Sequence, residues 1–360
     1  MKKTYLIINE NSSDNIGDHA INEGLKQVFH QAEIKTISAP FATNIDDKAT
    51  KTRKKNLFGD KSLSIKARLK SVQAMRYIYW ARLAFKPVRR YCKNSNFSGA
   101  VVGGGQLILS GGTFPIALYI WCFFLKRYGI PFSIVGVGCG EKFSFLDKIL
   151  IRSALNKSVS VLVRDHDSIE KLNKHFGYSL GKYIPDLAFA IEPTIDIEHK
   201  VNDSIVVGAT DYEVYLRYWN EVNYNYANPL SYSEYIESWV DLVLSSLNEN
   251  CDKVVFSSTT FRDTLVNKDV YIKLKQRGVK QKLVLIDELE SLSEYTLHLH
   301  SASVVISGRM HGLILGVIYG CTLSPWVISN KINLFLNDYS DSIPEKLRME
   351  IFKLTLQEIE

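Results

Sequence analysis

The sequence predicts an α/β protein built from two doubly wound domains facing a cleft. Short apolar runs of strand length alternate with stretches of helical periodicity, and most of these runs end in glycine or a polar turn. A length of 360 residues exceeds one ordinary core, and two domains of about 150 to 200 residues are expected. A composition of 46% hydrophobic and 23% charged residues is that of a soluble globular protein. No apolar run reaches the roughly 20 residues that a membrane-spanning helix needs.

Residues 4–8 read as the first strand. The two lysines before them precede too short an apolar segment for a secretion signal, with no small-residue cleavage site, so a cytoplasmic location is expected. The polar loop 11–19 leads into a helix over Ala20 to Gln31, with Ile21, Leu25, Val28 and Phe29 at helical spacing. A strand follows near Ile34 to Ile37, and an amphipathic helix is predicted from about Leu63 to Phe85. Ala100 to Gly105 is a strand ending in glycines, residues 114–128 are helical, and Phe132 to Gly140 repeats the strand-to-glycine pattern. Val159 to Val163 runs into Arg164 and Asp165, then a helix near 167–176, and Tyr183 to Phe189 closes the first domain.

The acidic, aperiodic stretch 192–203 reads as the linker. Beyond it, strands at 204–209, 254–256, 283–286 and 302–306 alternate with helices near 233–248, 270–276 and 290–300. The expected division is therefore residues 1–192, a second domain at 203–336, and a helical tail at 337–360. Both domains read as Rossmann-like.

Charge is concentrated in one place. Residues 48–93 hold fifteen Lys or Arg and one acid, Asp60, a local net of +14 against +6 for the whole chain. Aromatic and apolar residues are interleaved with these cations, which suits an anionic membrane surface; an ordinary domain helix with a solvated basic face has the same composition. The five cysteines are odd in number and have no close pair, so buried thiols are expected, with no disulfide framework and no metal cluster.

The run Ser307-Gly308-Arg309-Met310-His311-Gly312 follows an apolar strand and opens a helix. It places a guanidinium and an imidazole at a strand's carboxyl end beside exposed helix amides, where α/β proteins bind anions and move protons.

Six motifs occur in order: Asn15-Ile16-Gly17-Asp18, Gly103-Gly104-Gly105, Gly136-Val137-Gly138, Val163-Arg164-Asp165, Pro185 to Phe189, and Arg309-Met310-His311-Gly312. Together they resemble the polysaccharide pyruvyl transferase family over about residues 5–336; the basic segment 48–93 is not part of the shared pattern. The resemblance implies a GT-B-like fold and transfer of a pyruvyl group from phosphoenolpyruvate to two hydroxyls of one sugar, giving a cyclic ketal and phosphate. The acceptor is expected to be a cell-surface glycan, capsule or exopolysaccharide, or its polyprenyl-diphosphate-linked precursor. A lipid-linked acceptor would put the protein at the inner face of the cytoplasmic membrane, in contact with anionic lipid through 48–93. Neither cofactor, metal nor nucleic acid is expected.

Phosphoenolpyruvate carries two anionic groups, and Arg binds oxyanions through a planar fork. Arg164, Arg309 and Lys331 are the expected donor ligands with Gly104 and Gly138, the second domain being the donor side and the first the acceptor side. For Arg164 the competing reading is an ion pair with Asp186, for Lys331 a solvated charge, and for the glycines tight strand–helix packing. His311 is the expected proton donor to the enol methylene, since an imidazole both gives and accepts a proton near neutral pH; its alternative is a structural hydrogen bond. Asp18, His19 and Asn15 are assigned to the acceptor, with Asp18 as base; Asp18 reads equally as a helix N-cap. A GT-B glycosyltransferase using a nucleotide sugar, and a noncatalytic adaptor binding anionic lipid or nucleic acid, are the competing functions.

Overall fold

A computed structural model describes residues 3–42, 73–93, 96–197, 200–222, 228–328, 330–339 and 342–358. Contacts divide the chain into two units. The first is Met1–Ser13, Ile21–Ala190 and Arg348–Glu360; the second is Asp14–Ala20 and Ile191–Leu347.

The first unit holds strands β1 (Thr4–Asn9), β2 (Lys35–Pro40), β3 (Gly99–Ile108), β4 (Phe132–Cys139), β5 (Val161–Val163) and β6 (Lys182–Tyr183). They form one parallel sheet in the order β2-β1-β3-β4-β5-β6. Every residue of β4 is buried, as a parallel strand covered on both faces requires. The helices between the strands are α1 (Ile16–Gln31), α2 (Gln73–Lys93), α3 (Phe114–Arg127), α4 (Phe145–Leu155) and α5 (His166–Phe176). Trp121 of α3 is fully buried, and its indole N–H donates to the Phe41 carbonyl at 2.9 Å.

The second unit holds β7 (Ser204–Gly208), α6 (Tyr212–Val222), α7 (Tyr232–Ser246), β8 (Lys253–Phe256), α8 (Asp263–Gln276), β9 (Lys282–Leu285), α9 (Leu292–Leu299), β10 (Ala302–Ser307), α10 (Met310–Ile318), β11 (Thr322–Pro325) and α11 (Asn330–Tyr339). Its parallel sheet runs β11-β10-β7-β8-β9. Tyr235, Trp239 and Trp326 pack ring on ring beside it, with Trp239 and Trp326 stacked at 5.5 Å.

Two parallel-sheet α/β units are thus found, as the alternating pattern requires, but the division differs from the one drawn in chain order. Asp14–Ala20, and with it the first turn of α1, belongs to the second unit. The expected helical tail holds helix α12 (Pro344–Gln357), but from Arg348 on it joins the first unit, where Ser133 donates to the Glu358 carbonyl at 3.0 Å and Lys182 pairs with the Glu358 carboxylate at 2.5 Å.

Helix α1 starts at Ile16, not at Ala20, because Asn15 caps it: Asn15 Oδ1 accepts the Gly17 N–H at 2.9 Å, and its carbonyl accepts the Asp18 N–H at 3.1 Å. Asp18 therefore sits in the first turn and is not the cap. Residues 48–72 of the basic segment, including the expected helical start at Leu63, lie outside the described residues; the described helix runs from Gln73 past Phe85, through Pro87, to Lys93. Helices α4 and α6 fall where periodicity gives no expectation; a capping box of Ser144 and Asp147 starts α4. All five cysteines are buried and unpaired, and burial pushes the Cys92 and Cys139 thiols up to about 12.

Candidate active site

In the second unit the chain steps from β7 to β8 and β9 on one side of the sheet, then returns to β10 and β11 on the other. The carboxyl ends of β7 and β10 therefore border the crevice where open α/β sheets bind ligands. Arg309 follows β10 there in extended conformation (φ −109°, ψ 128°) and leads into α10, and its N–H donates to Ser307 Oγ at 3.0 Å.

The Arg309 guanidinium is held from one side. Its Nε donates to Asp263 Oδ2 at 3.0 Å, and Nη2 donates to Asp263 Oδ1 at 2.7 Å and to Thr260 Oγ1 at 3.4 Å. Asp263, in the first turn of α8, is 1% exposed and also accepts the Asp211 N–H at 2.8 Å. Burial by itself would lower the pKa of Arg309, but the facing Asp263 carboxylate outweighs it and the net shift is upward. Among the described residues Nη1 has no protein partner, which leaves the end of the fork for an oxyanion.

The segment Asp14–Ala20 is fixed beside this pair. Asn15 forms an antiparallel bridge with Thr260, and the Ile16 N–H donates to the Thr259 carbonyl at 2.9 Å. A Cβ at Gly17 would lie 2.2 Å from Nδ1 and 2.5 Å from Cγ of His311, so only glycine lets the imidazole lie against this backbone. His311 is half-buried in the first turn of α10. Asp18 and His19, also half-buried, occupy the same first turn of α1 as Gly17.

The second unit therefore brings together the first and last of the six motifs. Asn15, expected to bind acceptor, uses its Oδ1 as a helix cap. Sequence reasoning missed Thr260 and Asp263, although the polar run Ser257 to Thr260 after an apolar strand is the same signal that marks Arg309.

The remaining expected donor ligands behave differently. Arg164, 9% exposed at the end of β5 in the first unit, donates from Nη1 to Asp186 Oδ2 at 3.1 Å, with Asp165 at 3.9 Å from Nε. Its fork is engaged by the protein, the competing reading of the sequence. Gly138 makes room for that guanidinium, since a Cβ there would meet Nε at 3.0 Å. At Gly104 (φ 83°) a Cβ would lie 1.9 Å from Ile21 Cγ2, so packing of α1 on β3 takes the space that a ligand was expected to use. Lys331 lies in the first turn of α11; its side chain is outside the described residues. Among the described residues no group of three or more His, Cys, Asp or Glu is placed to hold a metal ion.

Two parallel-sheet α/β units, with an arginine and a histidine following a strand at the topological switch of one sheet, give an α/β protein of GT-B-like fold. The sequence pattern of the polysaccharide pyruvyl transferase family matches residues 15–322, and the chain belongs to that family. Among curated proteins none matches it. Among solved structures, a protein assigned as a UDP-N-acetylglucosamine 2-epimerase from Listeria monocytogenes is similar at a TM-score of 0.55 and 11% identity, over 100% of this chain and 88% of that one. The Methanocaldococcus jannaschii UDP-GlcNAc 2-epimerase (TM-score 0.46, 10% identity, 99% and 100% covered) and S. aureus MnaA with UDP (0.47, 12%, 98% and 91%) follow. At such identities the first likeness establishes fold alone.

Proposed function

We propose that this transferase moves a pyruvyl group from phosphoenolpyruvate to two hydroxyls of one sugar in a surface polysaccharide or its lipid-linked precursor, forming a cyclic ketal. The observation that carries this reading is the meeting of two family motifs from opposite ends of the sequence, Gly17 lying against His311 beside an Arg309 fork clamped by Asp263.

In this reading the free end of Arg309 and the first amides of α10 hold the donor's anionic groups, with Lys331 as a further cation; Arg164 stays with Asp186. His311 gives a proton to the methylene carbon of the enol, and the central carbon becomes oxocarbenium-like. One sugar hydroxyl attacks that carbon and passes its proton to Asp18 or back to His311. The C–O bond to phosphate then breaks, the second hydroxyl adds to the same carbon, and its proton leaves with phosphate. The products are one ketal and one inorganic phosphate. Asn15 and His19 line the acceptor side of the same turn.

The test is phosphate release from phosphoenolpyruvate with free and lipid-linked galactose-, glucose- and mannose-type acceptors, with His311→Ala alongside. Acceptor-dependent release that the variant loses is expected. No release with any acceptor, together with binding of a nucleotide sugar, overturns the reading in favour of a glycosyltransferase.

A further inference from the structure

Helix α2 is amphipathic in an unusual way. One side sends Tyr77, Trp80, Ala84, Val88 and Cys92 into the core of the first unit. The opposite side exposes large apolar groups, Met75 at 43%, Ile78 at 47%, Tyr79 at 50% and Phe85 at 48%. Arg82, Lys86, Arg89, Arg90 and Lys93 are exposed among them, and the helix contains no acid. Among the described residues none of these cations forms an ion pair; Arg89 donates to the Tyr128 hydroxyl at 3.1 Å. Phe85 meets Phe124 edge-on at 4.8 Å, and α3 adds exposed Phe123, Lys126 and Arg127.

An ordinary solvated face alternates charges of both signs and carries few large apolar side chains. This one carries a single sign of charge and large apolar groups left about half exposed, Phe85 among them although it also packs on Phe124. A second copy of the chain does not fit, because two acid-free faces repel. Nucleic acid would engage the cations and rings but has no use for Met75 and Ile78. No described helix is long and apolar enough to cross a membrane.

We infer that the outer face of α2, extended by α3, docks on the surface of an anionic lipid bilayer, with its cations over the headgroups and Met75, Ile78, Tyr79 and Phe85 entering the boundary with the acyl chains. The inference stands apart from the donor chemistry, because its readout needs neither donor nor acceptor.

The test sediments the full-length protein with vesicles of phosphatidylcholine alone or mixed with phosphatidylglycerol, at low and high salt. Binding to the anionic vesicles only, weakened by salt, is expected. The triple variant Arg82→Glu, Lys86→Glu, Arg90→Glu should bind at least about tenfold less. Ile78→Ser with Tyr79→Ser should also weaken binding, although every cation remains. All five positions are exposed, so both variants should keep the parent melting temperature; the salt dependence of the unaltered protein needs no variant. Equal binding to neutral vesicles, unchanged binding by the triple variant, or tight RNA binding indifferent to the Ile78 and Tyr79 changes would each overturn the inference.

Discussion

Arg309 and Asp263 are joined through two guanidinium nitrogens and both carboxylate oxygens, at 3.0 and 2.7 Å, with the carboxylate 1% exposed. A side-on clamp of this kind fixes the plane of the guanidinium and so the direction of its remaining donors. Asp263 stands at the start of α8, where the helix amides also favour a carboxylate.

Replacing Asp263 with Asn keeps the shape and removes the charge. The expected result is a loss of about 1–3 kcal/mol in stability, because a partly buried cation loses its partner. A donor KM raised about tenfold or more is expected with it, as the fork loses its orientation. Urea unfolding and a phosphoenolpyruvate titration check the two parts; an unchanged KM would remove Asp263 from the positioning of Arg309.

Gly17→Ala places a methyl group 2.2 Å from His311 Nδ1, closer than any real contact allows. The imidazole must swing away, and a displacement of about 1 Å in a reacting group costs on the order of a hundredfold in rate. Acceptor-dependent phosphate release should fall by about that factor. Full activity in this variant would show that the observed His311 position is not the one used in chemistry.

The Arg164–Asp186 pair is buried on both sides, with side chains 8% and 5% exposed. Arg164→Met and Asp186→Asn should each destabilise the protein by about 3–5 kcal/mol. The double variant should lose less than their sum, with a coupling of about 1–3 kcal/mol by denaturant unfolding. Additive losses, together with a raised donor KM for Arg164→Met alone, would instead make Arg164 a donor ligand.

The His300 ring stacks on Tyr319 at 5.6 Å, and burial, followed by the like charge of Lys200, holds its pKa below the ordinary 6.5. The unfolded chain then takes up a proton first as pH falls, so this contribution to stability is complete above the ordinary value and is lost between that value and the lower folded one. His175 in the first unit is lowered in the same direction, by burial first. Going from about pH 7.5 to about pH 5.5 should lower the urea midpoint, and His300→Gln should show a smaller drop. An equal drop in the variant would assign the loss to other groups.

Much of the fold was legible because its signals are local. Nearly continuous apolar runs of strand length such as Phe132 to Val137, interrupted only by Ser133, suit strands buried on both faces of a parallel sheet, and the turns after them mark carboxyl ends where ligand-binding groups gather. Arg309 and His311 were singled out in this way. The start of α1 was misplaced because Asp18 and His19 read as loop residues, whereas Asn15, three residues earlier, takes the cap. The same rule that marked Arg309 applies to Thr260 and Asp263, but a polar run without a histidine or arginine at its core does not announce a site.

The sequence by itself determined two parallel-sheet α/β units, the family, and the residue types that stand at the carboxyl end of β10, since each depends on spacing along the chain. Only the tertiary structure decided that Asn15 to Asp18 sits with His311 in the second unit, that Arg309 is clamped by Asp263 while Arg164 is taken up by Asp186, and that Gly104 and Gly138 make room for protein side chains. Those outcomes depend on which carboxylate and which side chain come to fill a given space, and periodicity along a chain carries no information about partners brought together by folding.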